Sequence, residues 1–224
     1  MNKPWLSILI PSIHPDKLSR FLSTLNQNID SSRDEIELVI DTEPAKGTGE
    51  LYSRMFERAK GEWIWIANDD LLCETPSWLY HFKEATKVHE DGIALIFPND
   101  KLFVETFCCF PLVKKEVVRP LFPMHYKKYK IDDSIMAIIP KSRYVYLDNV
   151  VMRHLNYNVT NQPGCMTKSG NVYPIEEEAA KIDNKIWEDN LPLRAHLANQ
   201  LLNVVNGIVV TPGQKRVLVG CSTA

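Results

Sequence analysis

Four short apolar runs at residues 6–10, 36–40, 63–67 and 93–97 punctuate the first hundred residues at the spacing of successive strand–helix–strand units. Pro11 stops the first run, Asp41 ends the second, and the third, Trp63-Ile64-Trp65-Ile66-Ala67, runs directly into Asn68-Asp69-Asp70. Between the first two runs, Leu18, Phe21, Leu22 and Leu25 recur at helical spacing, which gives one helix face to pack on a sheet. A loop with Pro44, Gly47 and Gly49 leads into a helix predicted over 50–60 and closed by Gly61, and a further helix is predicted over 77–89. Strands that alternate with helices in this way predict an α/β fold: a doubly wound, mostly parallel sheet with helices on both faces. Such sheets bind ligands beyond the carboxyl ends of their strands. Pro11, Asp41 and Asp69 all fall there.

The second half is less regular. An apolar segment over 102–118 is followed by a basic loop with Lys127, Lys128 and Lys130, a helix near 132–138 and a strand near 144–151. A polar loop over 156–171 then precedes helices at 175–191 and 193–205 and a tail after Gly207. The organisation expected is a domain over 1–155 and a loop plus helical extension over 156–224 that packs on it. With 224 residues the chain can bury a core without a disulfide or metal staple.

Composition narrows the class. Hydrophobic residues make up 45% and charged residues 24%, the balance of a water-soluble globular protein. A net charge of -2 excludes the global basic excess that grips nucleic acid. Five cysteines without CxxC spacing point to a reducing compartment. The apolar run over 5–10 is too short for a signal segment, so the chain reads as cytoplasmic, with peripheral membrane contact left open.

Two adjacent carboxylates after an apolar strand repel one another and resist burial. A divalent cation removes both difficulties, because Mg²⁺ or Mn²⁺ takes oxygen ligands from one or two carboxylates and fills its shell with phosphate and water. A helix cap is the competing reading of Asp69 and Asp70. The surrounding string Ala59-Lys60-Gly61-Glu62-Trp63-Ile64-Trp65-Ile66-Ala67-Asn68-Asp69-Asp70 resembles the metal-binding region of the family 2 glycosyltransferases and their relatives of the GT-A fold. Residues 6–12 and 37–41 resemble that family's first two strands, and the likeness spans about residues 5–155.

The resemblance implies a sugar transferred from a nucleotide-diphosphate donor, such as a UDP-sugar, to an acceptor hydroxyl on a glycan, lipid, protein or nucleic acid, with Mn²⁺ or Mg²⁺ as cofactor. It implies that Asp70 ligates the metal, that Asp69 holds ribose or metal-bound water, that Asp41 meets the base and that Pro11 and Ser12 line its pocket. The family's A-R-N-x-G segment is replaced here by Leu51-Tyr52-Ser53-Arg54-Met55, in which Arg54 is the candidate for a phosphate or base contact. Ile131-Asp132-Asp133-Ser134-Ile135 resembles the segment that carries the general base; Asp133 is the first choice and Asp132 the reserve, with inversion the expected outcome. His154 follows both acids and a strand, the order of a metal-ligating histidine in that fold. Trp63, Trp65 and the run at 107–110 read as core. A sugar nucleotidyltransferase and a non-catalytic nucleotide-sugar-binding module are the alternatives. The loop Pro11-Ser12-Ile13-His14-Pro15 lacks the glycine and arginine the first normally shows, and the altered segment around Arg54 keeps the second open.

Overall fold

The computed structural model describes residues 3–30, 33–155, 177–209 and 217–218. Strand β1 (Leu6–Pro11) leads through helix α1 (Pro15–Gln27) to β2 (Ile36–Asp41), and helix α2 (Thr48–Arg58) leads on to β3 (Trp63–Ile66). β1 lies between the other two and is parallel to both, with Leu6 in register with Ile36 and Trp63. Side chains alternate across such a strand. Ile8, Ile10, Trp63 and Trp65 therefore pack on one face with Phe21 and Leu25 of α1, while Leu9, Ile64 and Ile66 pack on the other with Met55 and Phe56 of α2. Both faces are covered, which is why the strands read as continuous apolar runs.

The chain continues through β4 (Leu71–Cys73), α3 (Trp78–Thr86), β5 (Leu95–Asn99), β6 (Leu112–Lys114), α4 (Lys115–Val118), α5 (Ile131–Ile138) and β7 (Tyr144–His154). Helices α6 (Glu177–Asp189) and α7 (Leu191–Val205) follow, and then a two-stranded pair, β8 (Ile208–Val209) and β9 (Val217–Leu218). The main sheet has the order β2-β1-β3-β6-β5-β7-β4. β6 runs antiparallel between β3 and β5, and β4 runs antiparallel to β7 at the edge, so the other strands share one direction in a mixed sheet. Both reversed strands are three residues long, too short for a period of two to show in the sequence.

The layers match the alternation. Trp78, Leu79 and Phe82 of α3 join α1 on one face; Ile131, Ile135 and Ile138 of α5 and Leu197 of α7 join α2 on the other. Trp65 is fully buried and meets Phe82 edge-on at 5.2 Å between ring centres, so the two strand tryptophans are core as expected. Helix α2 stops at Arg58, ahead of Gly61. Gly61 serves a different purpose: its N–H donates to Ser7 Oγ at 2.8 Å, and a Cβ there would lie 2.4 Å from the Ser7 nitrogen.

The basic loop before α5 is held through its backbone. Lys127, Lys128 and Tyr129 each donate an N–H to the carboxylate of Asp183, a fully buried residue of α6. The predicted loop over 156–171 and most of the predicted tail lie outside the described residues. Among the described residues, no helix is long and apolar enough to cross a membrane.

Candidate functional site

The carboxyl ends of β1, β2 and β3 converge on one chain of contacts. Pro11 is in register with Asp41, and the Ser12 N–H donates to the Asp41 carbonyl at 3.0 Å. The Ser12 hydroxyl then donates to Asp69 Oδ2 at 2.6 Å. Burial pushes the Asp69 carboxyl up, the Ser12 hydrogen bond opposes this, and the adjoining charge of Asp70 adds to it; the net direction is upward.

Asp41 is almost wholly buried, and its carboxylate is already engaged. It accepts from Arg54 Nη2 at 2.9 Å and Nε at 3.2 Å, from Arg58 Nη2 at 3.1 Å and from the Glu43 N–H at 3.1 Å. Burial alone would raise its pKa, but the two guanidinium groups and the Glu43 N–H hold it below the usual carboxylate range. Arg54 also donates to the carbonyls of Glu43 and Pro44, so its role in the fold is to tie the loop after β2 to α2.

Asp70 meets a residue far away in sequence. β4 pairs with β7 so that Leu71 is in register with His154, and the Leu155 N–H donates to the Asp70 carbonyl at 2.8 Å. This brings Asp70 Oδ2 to 3.5 Å from His154 Nε2. Burial would raise the Asp70 carboxyl, yet contact with His154 and the charge of Lys17 hold it below the ordinary value. Asp70 Oδ1 and His154 Nδ1 are buried and without hydrogen-bond partners. Two cis ligands of a small divalent cation stand about 3 Å apart at bond lengths of ~2.1 Å, so this carboxylate–imidazole pair fits a cation placed between them.

Tyr52, Asp100 and Cys109 also belong to this region, although the sequence patterns did not single them out. The Tyr52 hydroxyl lies 2.9 Å from the Ala67 carbonyl and 2.8 Å from Asn68 Oδ1, bracing the start of the acidic turn. Burial and the charges of Asp132, Asp70 and Asp69 raise its pKa well above the ordinary phenol value, so it remains a neutral donor. Asp100, Cys109 and His154 place one ligand-capable atom each within 4.8 Å of one another. Asp100 Oδ1 accepts the N–H groups of Leu102, Phe103 and Val104, while Oδ2 is buried and unpartnered. A signal for Asp100 existed: β5 ends at Asn99 and runs directly into Asp100, as β3 leads into Asn68-Asp69. No comparable signal marked Cys109 as part of a site.

The two acids of α5 have different surroundings. Asp133 lies 3.6 Å from Lys130 Nζ. The charge of Asp132 reaches Tyr52, Cys108 and Cys109. Burial first, and the charge of Asp133 second, raise its carboxyl well above the usual range.

No family model matches this chain, and no curated protein does. Solved structures do. Glucosyl-3-phosphoglycerate synthase from Mycobacterium tuberculosis, in complex with Mn²⁺, uridine diphosphate and glucosyl-3-phosphoglycerate, is similar at 13% identity and a TM-score of 0.51, over 67% of this chain and 72% of that one. A mannosyltransferase from Pyrobaculum calidifontis, in complex with GDP-Man and Mn²⁺, is similar at 13% identity and a TM-score of 0.50, over 94% of this chain and 77% of that one. The chain has the GT-A fold. At this identity the likeness carries the fold alone, and the activity rests on the chemistry of the site.

Proposed function

We propose that the protein transfers a sugar from a metal-bound nucleotide-diphosphate donor to an acceptor hydroxyl. The observation that carries this reading is the pairing of Asp70 with His154, with unpartnered buried atoms on both, at the carboxyl end of a GT-A sheet. Asp70 and His154 would hold the cation, and the imidazole favours Mn²⁺ over Mg²⁺. The bound ion supplies positive charge against the departing diphosphate. Asp69, oriented by Ser12, would receive ribose or a water on the metal. Asp41 would shape the base pocket through Ser12 and Arg54, since its carboxylate is already saturated.

Of the two acids on α5, Asp132 is the better base. Its charge reaches Tyr52, which holds Asn68, and its raised pKa makes its carboxylate a strong proton acceptor once ionised. The acceptor oxygen attacks the anomeric carbon as the bond to the diphosphate oxygen breaks and the electron pair leaves with the diphosphate. The hydroxyl proton passes to Asp132. Attack opposite the leaving group inverts the anomeric centre.

A thermal-shift screen of nucleotide diphosphates and their sugars with Mn²⁺ tests the reading, followed by donor hydrolysis and transfer assays. One base should stabilise the wild type only when Mn²⁺ is present, and Asp70→Asn should abolish that dependence. Unchanged metal dependence in Asp70→Asn would remove the site assignment. Binding without turnover would favour a non-catalytic module, the reading that the altered segment around Arg54 keeps open.

A further inference from the structure

A second polar site lies on the far side of α5, and it shares no residue with the acidic turn. A cavity of about 230 Å³ opens between the chain at 120–126 and helices α6 and α7. Its walls include Phe122, His125, Tyr126, Ser134 and Arg194. Arg194 is 3% exposed, and neither Nη1 nor Nη2 has a hydrogen-bond partner. Its guanidinium carbon lies 3.4 Å from the ring centre of Trp187.

Stacking on Trp187 satisfies only the face of the guanidinium, because its N–H bonds lie in the plane of the group and point along its edges. Water cannot easily repay the desolvation of a charged group that is this buried, so an unpaired fork is an expensive thing to keep. The carboxylate whose charge reaches it, Asp133, is shared with a lysine. Asp133 lies 3.6 Å from Lys130 Nζ, and Ser134 Oγ contacts the Tyr126 hydroxyl at 2.9 Å and the Lys130 carbonyl at 2.7 Å. Lys130 also approaches Trp187, with Nζ 5.5 Å from the ring centre, so the surroundings of the fork carry a second positive charge. Burial lowers the pKa of Arg194 from its ordinary value, although Tyr126, by its charge and a side-chain hydrogen bond, and Asp133 pull it upward.

We propose that this cavity is an oxyanion site, in which the Arg194 fork takes a carboxylate or a phosphate monoester with two parallel hydrogen bonds. The planar fork matches two oxygens on one carbon or phosphorus. The volume admits a small ligand, and Phe122 and Leu193 give its body an apolar wall. Ser134 lies two residues beyond Asp132, and residues two apart on a helix point to different sides, so the site stands apart from the proposed transfer chemistry.

The test is thermal denaturation of the full chain in EDTA with inorganic phosphate, acetate or chloride at equal ionic strength. Phosphate or acetate, and not chloride, should raise Tm by roughly 3–6 °C at ten times its Kd. Whichever of the two acts names the ligand class. Arg194→Gln should lose the response. Arg194→Lys, which keeps the charge and loses the fork, should bind at least tenfold more weakly by calorimetry while keeping the wild-type circular dichroism, and it decides the matter alone if Arg194→Gln does not fold. Equal stabilisation by chloride, or an undiminished phosphate or acetate response in Arg194→Lys, overturns the proposal.

Discussion

Asp132 and Asp133 are neighbours in the chain, yet the charge of one reaches Tyr52 and the other lies beside Lys130. Because the folded protein raises the Asp132 carboxyl, it holds that proton more tightly than the unfolded chain does. The resulting stabilisation is complete below the unfolded pKa of about 3.9 and is lost as pH rises through the folded value. Asp132→Asn should therefore melt higher than the wild type at neutral pH, with the difference closing toward pH ~4, and melting curves across that range check it. Asp41 has the opposite sign: its lowered pKa contributes stability above about 3.9 that is lost as pH falls. Gly61 is bound by space. Gly61→Ala forces a methyl group against the Ser7 backbone and should cost about 3 kcal/mol in urea unfolding.

Among the elements, α6 packs Ile186 and Trp187 against the core and adds one buried carboxylate. Asp183 gathers three consecutive N–H groups of the loop before α5, so a run that reads as solvated lysines is organised by its backbone. Asp183→Ala leaves those donors without their acceptor and should cost about 3 kcal/mol, with faster tryptic cleavage at Lys127 and Lys128 as the local readout. β4 is the other decisive element. It has three residues, yet its register with β7 is what sets His154 opposite Asp70.

For the molecule as a whole, the proposed cation site joins residues 84 positions apart, Asp70 and His154. His154→Ala should lower affinity for Mn²⁺ more than for Mg²⁺ in a calorimetric titration, since an imidazole suits the transition ion better. An equal loss for both ions would show that His154 orders the loop rather than binding the metal. Much of the architecture was legible in the chain because its cause is local: apolar runs and helical spacing are properties of neighbouring residues, and they specified the strands and helices, the α/β class and the end of the sheet where Ser12, Asp41 and Asp69 meet. The two short reversed strands were not legible, since three residues carry no period. Nor were the saturation of Asp41 by Arg54 and Arg58, the approach of Asp100 and Cys109 to His154, or the unpaired fork of Arg194. Each depends on which distant side chains fill the space around a charge, and only tertiary packing decides that, because burial makes the partner matter.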